Sequence, residues 1–377
     1  MSDPGRVAIV HDYLNQRGGA ERVVLELASI FTEAPIFTSL YRPDSTFPKF
    51  REHVIHTSPL DRLPVDRGFR NCFPFYPAAF RAFGTLEHDL VVSSSSAWAH
   101  SVRTAPSSLH VVYCHTPARW LYGKDYLGSS RRQAALMPAR GLLRRWDRGA
   151  ARRADLYVAN SDEVRRRIAR HYGIEAPVVH PPVDVDRFTP RPRGERLLVV
   201  SRLLPYKRID AIVDTATRAG LGLDVVGSGP ALADLRRRAG RTVTFHGRLP
   251  DRDVTRLMET CRAFCLPGHE DFGIGPVEAQ AAGKPVVAFR AGGALETVEE
   301  GVTGVFFDRY GKDAILDAIA RCDAIETSPE EIAAGARRFS RQAFRERLLA
   351  LIEARGRSRR EAPHPLMPAY ALVPSRS

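Results

Sequence analysis

The stretch RLLVVSRLLPYKRIDAIVDTATRAGLGLDVVGSG, residues 196–229, contains the unit from which the rest of the fold can be predicted. Its first part, RLLVVSR (196–202), is short and β-branched, which is typical of a strand. A helical pattern over Arg208–Thr217 follows, and LDVVGSG (223–229) is a second strand that ends in glycines. A strand, a helix and a strand in this order predict two parallel strands with a helix covering their sheet.

The same alternation occurs on both sides of a segment rich in proline and charge, residues 176–195, which we interpret as a linker. A helix is predicted at Gly19–Phe31, with Val23, Val24 and Leu27 on its apolar face. The other predicted strands are short apolar runs at 6–11, 89–95, 110–116, 155–161, 242–247, 263–268, 285–290 and 304–308.

The predicted fold class is therefore α/β, with two Rossmann-like, doubly wound domains that face each other across a cleft. We assign residues 1–185 to an N-terminal domain and residues 186–345 to a C-terminal domain. Residues 346–377 are predicted to hold the end of a helix and a disordered tail, since no periodicity is visible from about Arg355 onward.

The composition limits the functional classes. A length of 377 residues suits two domains, and a formal net charge of +13 indicates an anionic partner, unless it reflects a coding bias toward arginine. Five widely spaced cysteines without metal-ligand spacing favour reduced thiols and no metal site. Without a leader or an apolar run of about 20 residues, a cytoplasmic location is expected.

Two cations follow the first strand of the opening unit. Arg202 ends the strand and Lys207 lies near the start of the next helix. Ligands of open α/β sheets bind at the carboxyl ends of strands, so these two charges suit a diphosphate. The alternative is a solvated basic loop.

Glycines occupy two strand-to-helix turns. Gly227 and Gly229 permit close approach of the backbone to a phosphate or a sugar, but a lone Gly-x-Gly is a weak signal. No acidic partner for an NAD ribose follows, so a dehydrogenase is disfavoured. Gly18 and Gly19 lie in the first such turn, where their amides face an anion or an acceptor, or form an ordinary tight turn.

Two carboxylates lie in GHEDFGIGPVEAQAAGKPVVAF, residues 268–289. Pro276 fits the first position of a helix, which places Glu278 in the first turn as compensation for the helix dipole. Glu270 has no such structural explanation, because it lies on a strand-end loop facing the cleft. Two carboxylates of this kind can accept hydrogen bonds from vicinal hydroxyls of a sugar or a ribose.

The spacing of Glu270 and Glu278 resembles the E-x7-E motif of retaining glycosyltransferases of family 4. Five segments in a familiar order carry this resemblance: SRLLPYKR, VGSGP, FHGRLP, HEDFGIGPVEAQAAGKPVV and GGALETV. The N-terminal segments RGGAE, YCHTPARWLY and ANSDEVRRRI are similar to the same family, so the resemblance covers about residues 6–350. The amino-acid sequence of these segments is most similar to that of GDP-mannose-dependent mannosyltransferases of surface-polysaccharide assembly.

The resemblance implies a GT-B fold and a function. A hexose, mannose from GDP-mannose in the first place, would be transferred with retention to a glycan or lipid-linked glycan, without a metal or cofactor. Arg202 and Lys207 would bind the donor diphosphate, Glu270 the transferred sugar and Glu278 the ribose. The acceptor's proton would pass to the leaving phosphate.

The resemblance also implies the remaining site residues. His115 would contact the sugar from the N-terminal domain, which completes a catalytic set of Glu270, His115, Arg202 and Lys207. The other donor-binding positions lie on four loops: Gly18, Gly19, Gly227, His246, Leu249, Phe272, Gly273 and Ile274. Arg208 departs from the family, in which many members have glycine after the lysine.

Other interpretations stay open at this point. The same fold suits a UDP-sugar donor, a sugar-nucleotide epimerase or a non-catalytic scaffold. Nucleic-acid binding is disfavoured, because two carboxylates lie amid the basic cleft and no aromatic–basic repeat is present. The basic segment 131–154, with Leu142, Leu143 and Trp146, suits either peripheral contact with an anionic membrane or packing on the sheet.

Overall fold

A computed structural model describes residues 6–63, 75–123 and 131–361 of the chain. Two six-stranded parallel sheets with the same strand order form the cores of two domains. In each sheet the order runs outward from the first strand in one direction and then restarts in the other, which is the doubly wound arrangement predicted from the sequence.

The N-terminal sheet has the order β3-β2-β1-β5-β7-β8, and a two-stranded ribbon β4-β6 lies beside it. Its strands are β1 Val7–His11, β2 Ile36–Thr38, β3 Ile55–Thr57, β4 Thr85–Leu86, β5 Leu90–Ser95, β6 Arg103–Thr104, β7 Leu109–Cys114 and β8 Leu156–Ala159. Its helices are α1 Gly19–Ile30, α2 Tyr76–Arg81, α3 Arg119–Tyr122, α4 Arg131–Ala151 and α5 Asp162–Tyr172.

The C-terminal sheet has the order β11-β10-β9-β12-β13-β14. Its strands are β9 Leu197–Val200, β10 Leu223–Val226, β11 Val243–Gly247, β12 Ala263–Leu266, β13 Val286–Phe289 and β14 Gly304–Phe307. The remaining helices are α6 Ile209–Ala219, α7 Leu232–Arg238, α8 Asp251–Thr260, α9 Ile274–Ala281, α10 Ala294–Thr297, α11 Lys312–Asp323, α12 Pro329–Ala336 and α13 Arg341–Glu361.

All ten strands predicted from the sequence are confirmed. The strands that the sequence did not indicate are β2, β3, β4 and β6, each only two or three residues long. The central strands are apolar on both faces because helices cover both sides of each sheet, and all five residues of β1 are buried.

Helix α1 shows how the sequence sets this packing. Val23, Val24, Leu27 and Ala28 recur at helical spacing and are buried against the N-terminal sheet. Burying a valine or leucine side chain of this kind contributes about 1.5–3 kcal/mol to stability. The helix therefore holds a fixed position over β1, and its first turn lies at the carboxyl end of that strand.

The last helix, α13, crosses back from the C-terminal domain to the N-terminal sheet. Phe344, Leu348 and Ile352 join the N-terminal core. The prediction of disorder from about Arg355 is wrong as far as Glu361. Arg359 anchors this end, since its guanidinium pairs with Asp155 at 3.0 Å and donates to two backbone carbonyls. The rest of the predicted tail lies outside the described residues.

Helix α4 carries the basic segment. Trp146 packs edge-on against Trp98 with ring centroids 5.0 Å apart, and Leu143 packs on the same cluster, whereas Leu142 is 72% exposed. The packing alternative thus accounts for two of the three apolar residues. Within the described ranges, none of the helices combines the length and the apolar character that a membrane crossing requires.

Candidate functional site

The carboxyl ends of β9, β10 and β12 meet where the strand order of the C-terminal sheet reverses. Arg202 follows β9, Gly227 follows β10 and Glu270 follows β12, and the three strands are neighbours in the sheet. Such a reversal point leaves a crevice between diverging loops, where ligands of open α/β sheets bind. The structure therefore places these three residues on one edge of one sheet.

Lys207 and Glu270 form an ion pair between two of these loops. Lys207 ends a short 3₁₀ turn, Pro205–Lys207, and is only 9% exposed. Arg202 is exposed, and within the described part of the chain no side chain pairs with it. One cation of the site is thus held by the carboxylate of Glu270, while the other is available to an anionic ligand.

Arg208 explains how the chain tolerates its departure from the family glycine. Its backbone has φ 53°, and it is the one non-glycine residue with positive φ among the described residues. The guanidinium stacks over the ring of Tyr310 at 3.8 Å, a favourable cation–π geometry. The Tyr310 hydroxyl donates to the Pro267 carbonyl at 2.8 Å, so Arg208 links the Lys207 loop to the Glu270 loop.

Gly227 is required by packing next to Arg202. A Cβ atom built there would lie 1.9 Å from the carbonyl oxygen of Ser201, and the residue has φ 131°. Only glycine fits this approach and this backbone conformation. The role that the structure assigns to Gly227 is therefore to let the β10 loop close on the β9 loop.

Glu278 does not lie where the sequence predicted. Helix α9 begins at Ile274, two residues before Pro276, so Glu278 is beyond the first turn and compensation of the helix dipole is the wrong explanation. Its Oε1 accepts hydrogen bonds from Arg22 at 2.9 Å and from Arg187 at 2.8 Å. Because both guanidiniums bind Oε1, the residue keeps its second oxygen for another donor, although it is only 6% exposed.

The reversal point of the N-terminal sheet carries a hydrogen-bonded chain of two histidines and a serine. His115 Nε2 lies 2.8 Å from Ser94 Oγ, which lies 3.2 Å from His11 Nδ1. Burial, together with the nearby His11, lowers the pKa of His115 to about 3. The imidazole is therefore neutral at physiological pH and suits a hydrogen bond to a hydroxyl better than a proton-transfer role near pH 7.

Asp12 stabilises the loop that follows β5, next to this hydrogen-bonded chain. Its buried carboxylate accepts hydrogen bonds from the backbone amides of four consecutive residues, Ser96 to Ala99, at 2.5–3.0 Å. A carboxylate with this many amide donors is fully compensated. Asp12 therefore orders the loop after β5 rather than facing a ligand.

The remaining sequence-predicted residues fall into two groups. Those at the interface are Gly18 and Gly19, where a Cβ on Gly19 would lie 2.9 Å from Ile274 Cδ1 of the other domain. Gly273 precedes α9 and has φ 88°, so the backbone amides of Gly273 and Ile274 stand at a helix N-terminus.

The second group is Phe272, His246 and Leu249, whose side chains contact other protein groups. The Phe272 ring is buried and stacks on His180, so only its backbone can face the cleft. His246 Nε2 lies 2.8 Å from Asp224 Oδ1, and Leu249 packs against the core. The assignment of the nucleotide base to the loop from His246 to Leu249 stays a prediction.

Sequence reasoning missed a buried carboxylate next to Glu270. Asp271 pairs with Arg119 and with Arg167 Nη1, the latter at 2.6 Å, and both arginines belong to the N-terminal domain. Burial alone would raise the pKa of Asp271, but the two guanidiniums outweigh it and hold that pKa below its usual range. The sequence offered one clue to Asp271, its position beside Glu270. No rule of sequence spacing links it to arginines more than 100 residues away.

Comparison with known protein families identifies the family to which the chain belongs. Residues 17–187 match the family described as Glycosyltransferase Family 4, and residues 185–339 match Glycosyl transferases group 1, so the two matches together span residues 17–339. The chain is a family 4 glycosyltransferase. The matched ranges include every site residue predicted from the sequence.

Curated relatives of this chain are named for two kinds of activity. A D-inositol 3-phosphate glycosyltransferase of Geodermatophilus obscurus is 35% identical over 264 residues, which cover 58% of each chain. A GDP-mannose-dependent alpha-(1-6)-phosphatidylinositol monomannoside mannosyltransferase of Mycobacterium tuberculosis is 34% identical over 215 residues, covering 48% of this chain and 55% of the relative. The chain thus matches a little over half the length of these relatives.

Solved structures establish the GT-B fold of this glycosyltransferase. Anabaena HepE in complex with UDP superimposes with a TM-score of 0.70, at 18% identity, over 93% of this chain and 100% of HepE. Sucrose-phosphate synthase of Thermosynechococcus elongatus gives 0.71 at 18% identity, over 94% of this chain and 100% of the synthase. The predicted two-domain architecture is confirmed.

Proposed function

We propose that this chain transfers a hexose from a nucleotide sugar, GDP-mannose in the first place, to a glycan or a lipid-linked glycan. The observation that carries the proposal is the Lys207–Glu270 ion pair beside Arg202, which has no side-chain partner among the described residues, at the reversal point of the C-terminal sheet. Two cations and a carboxylate meet there at a crevice, and a sugar diphosphate needs both kinds of charge.

The donor diphosphate would lie between Arg202 and Lys207. The backbone amides of Gly273 and Ile274 would add donors at the N-terminus of α9, where the helix field favours an anion. The free oxygen of Glu278 would accept from the ribose hydroxyls, since Oε1 is taken by two arginines. The sugar would then reach Glu270.

The reaction proposed is a same-face displacement with retention. The anomeric C–O bond breaks and its electron pair goes to the phosphate oxygen, whose new charge Arg202 and Lys207 stabilise without a metal ion. The acceptor oxygen bonds to the anomeric carbon from the same face and passes its proton to that phosphate oxygen. The Glu270 carboxylate favours positive charge on the sugar ring, and neutral His115 offers a hydrogen bond to a sugar hydroxyl.

Two observations bear on the donor base. The Mycobacterium tuberculosis relative is named GDP-mannose-dependent, which favours guanosine and mannose. The structures of Anabaena HepE with UDP and with UDP-glucose favour the second candidate, a UDP-sugar. Both candidates use the same two cations, so only the base and the sugar are at issue.

The test is transfer and slow hydrolysis by the purified chain with a panel of GDP- and UDP-sugars, in the presence of EDTA. We expect GDP-mannose to be consumed and the released or transferred mannose to keep its α configuration by NMR. Glu270→Gln should lose turnover, whereas Glu326→Gln, an exposed carboxylate remote from the site, should not. Turnover of a UDP-sugar alone would replace the donor, and no turnover of any donor would refute the proposal.

A lipid-linked acceptor would bring the chain to an anionic membrane surface. The described surface suited to that contact is the exposed Leu142 with the exposed Arg145 and Arg148 on α4. Sedimentation with vesicles containing about a third anionic lipid tests this part separately. We expect Leu142→Glu to lose vesicle binding and to keep donor hydrolysis; equal binding by wild type and variant would refute it.

A further inference from the structure

We propose that Asp271 is a positioning residue that latches the two domains together and thereby fixes Glu270 over the donor site. The catalytic consequence rests on the proposed function, whereas the latch itself does not. No motif named above assigns a role to Asp271, and its side chain pairs with two arginines of the other domain.

The first contact of the latch is a carboxylate between two guanidiniums. Arg119 lies at the start of α3, just after β7, and Arg167 lies on α5. Each binds a different oxygen of Asp271, and the Asp271 side chain is only 13% exposed. Charged hydrogen bonds with little water access are stronger and more directional than surface ion pairs.

The second contact of the latch joins another carboxylate of the C-terminal domain to the same helix, α5. Glu296, on α10, accepts from the backbone amides of Asp162 at 2.8 Å and of Glu163 at 3.4 Å. These amides open α5, so Glu296 caps the positive end of an N-terminal-domain helix. Helix α5 thus receives Asp271 on its side and Glu296 at its end.

The two docked loops hold Glu270 between them. The Gly293 amide donates to the Glu270 carbonyl at 2.9 Å, which ties the loop before α10 to the loop after β12. His269 lies 3.6 Å from Glu163 of α5. The neighbours of Glu270 in sequence, His269 and Asp271, thus both contact α5. The position of Glu270 therefore depends on where α5 lies.

The charges of the latch and of the donor site also interact. Burial lowers the pKa of Arg119, but Asp271 and, to a smaller extent, Glu270 raise it above its ordinary value. Arg119 therefore stays charged and within electrostatic range of Glu270. If the latch opened, Glu270 would lose both its neighbouring cation and its fixed loop, whereas Arg202 would be unaffected.

The experiment uses Asp271→Asn, Arg167→Gln and the double variant in the full chain. Arg165→Gln is the matched control, because Arg165 lies on the same helix but pairs only with Asp162 of that helix among the described residues. We measure the radius of gyration by X-ray scattering without ligand, and kcat and KM for the donor. Asp271→Glu, which restores the charge, checks that a loss is not merely misfolding.

We expect both single variants to have a larger radius of gyration and a kcat lowered by about 10- to 100-fold, with the donor KM nearly unchanged. The double variant should have a kcat no lower than that of the more affected single variant, since both single substitutions break the same Asp271–Arg167 pair. Arg165→Gln should match the wild type, and Asp271→Glu should recover part of kcat.

An unchanged radius of gyration in both single variants would overturn the latch, as would additive losses in the double variant. Equal loss of kcat in Arg165→Gln would do the same. If the wild type turns over no nucleotide sugar, the proposed function fails, and the scattering comparison alone still decides for or against the latch.

Discussion

The two sheets share one topology but carry opposite chemistry at their reversal points. In the N-terminal domain the strand ends hold a hydrogen-bonded chain from the neutral His115 through Ser94 to His11, and a fully compensated Asp12. In the C-terminal domain the equivalent edge holds the Lys207–Glu270 pair and an exposed Arg202. One architecture thus offers a neutral wall on one side of the cleft and a charged wall on the other.

This difference shows how two domains of one topology can divide the contacts with the proposed ligand. A nucleoside diphosphate needs cations, which the C-terminal edge supplies, whereas a sugar or an acceptor hydroxyl needs neutral hydrogen-bonding groups. Because the low pKa of His115 keeps the imidazole uncharged, the N-terminal wall does not compete for the phosphate.

The largest effect is expected at the charged wall. Lys207→Met should lower kcat about 100- to 1,000-fold, because it removes a fixed charge from the leaving phosphate and leaves Glu270 without its partner. Rates of donor hydrolysis measure this, with the exposed Lys312→Met as control. A loss of less than about threefold would show that the wall does not stabilise the leaving group.

The second effect concerns the packing that builds this wall. Gly227→Ala should destabilise the chain by about 1–3 kcal/mol more than Gly220→Ala, because a Cβ meets the Ser201 carbonyl at the first site and open space at the second. Backbone strain acts in the same direction, because Gly220 has φ 68°, within the left-handed helical region, whereas Gly227 has φ 131°, outside it. Urea unfolding compares them, and equal destabilisation would contradict the packing role of Gly227.

The buried histidines of the N-terminal domain predict a pH dependence of stability. His110, whose Nε2 lies 2.9 Å from Ser93 Oγ, has its pKa lowered to about 3 by burial, and His115 by the same cause. Below the usual value of 6.5 the unfolded chain binds protons that the folded chain does not, so stability falls as the pH falls from about 6.5 toward 3.

Replacing one of these histidines should therefore flatten the profile. We expect His110→Asn to reduce the slope of unfolding free energy against pH by about 1.4 kcal/mol per pH unit between pH 6 and 4.5. Ser93→Ala keeps the imidazole and should keep the slope. An identical slope in the wild type and His110→Asn would mean that His110 titrates alike in both states.

The smallest effect is expected where two terms oppose each other. Arg208→Gly relieves about 1–3 kcal/mol of left-handed strain but removes a cation–π contact worth about 0.5–2 kcal/mol, so stability should change by about 1 kcal/mol or less. Arg208→Ala keeps the strain, loses the stacking and should be the less stable variant. The reverse order in thermal unfolding would contradict this account.

The sequence was sufficient for the fold and for the charged wall. Strand and helix periods gave the ten main strands, and strand ends marked Arg202, Lys207 and Glu270 as neighbours because parallel strands end at one edge. The resemblance supplied the remaining roles, and the two-residue error at the start of α9 followed from treating Pro276 as the first helical residue.

Contacts between the domains were beyond this kind of reasoning. Arg22 on Glu278, and Arg119 and Arg167 on Asp271, join residues 104 to 256 positions apart, and neither helix period nor strand order relates them. Their partners are long, flexible side chains whose pairing depends on how two separate domains dock.

The most direct test of the charged wall is calorimetric titration of GDP-mannose and GDP into the wild type, Arg202→Gln and Arg218→Gln, which removes an exposed arginine at the end of α6. The account predicts binding by the wild type and Arg218→Gln, and binding weakened about tenfold or more in Arg202→Gln for both ligands. Equal affinity in Arg202→Gln and Arg218→Gln would contradict the central claim that the diphosphate lies at the reversal point of the C-terminal sheet.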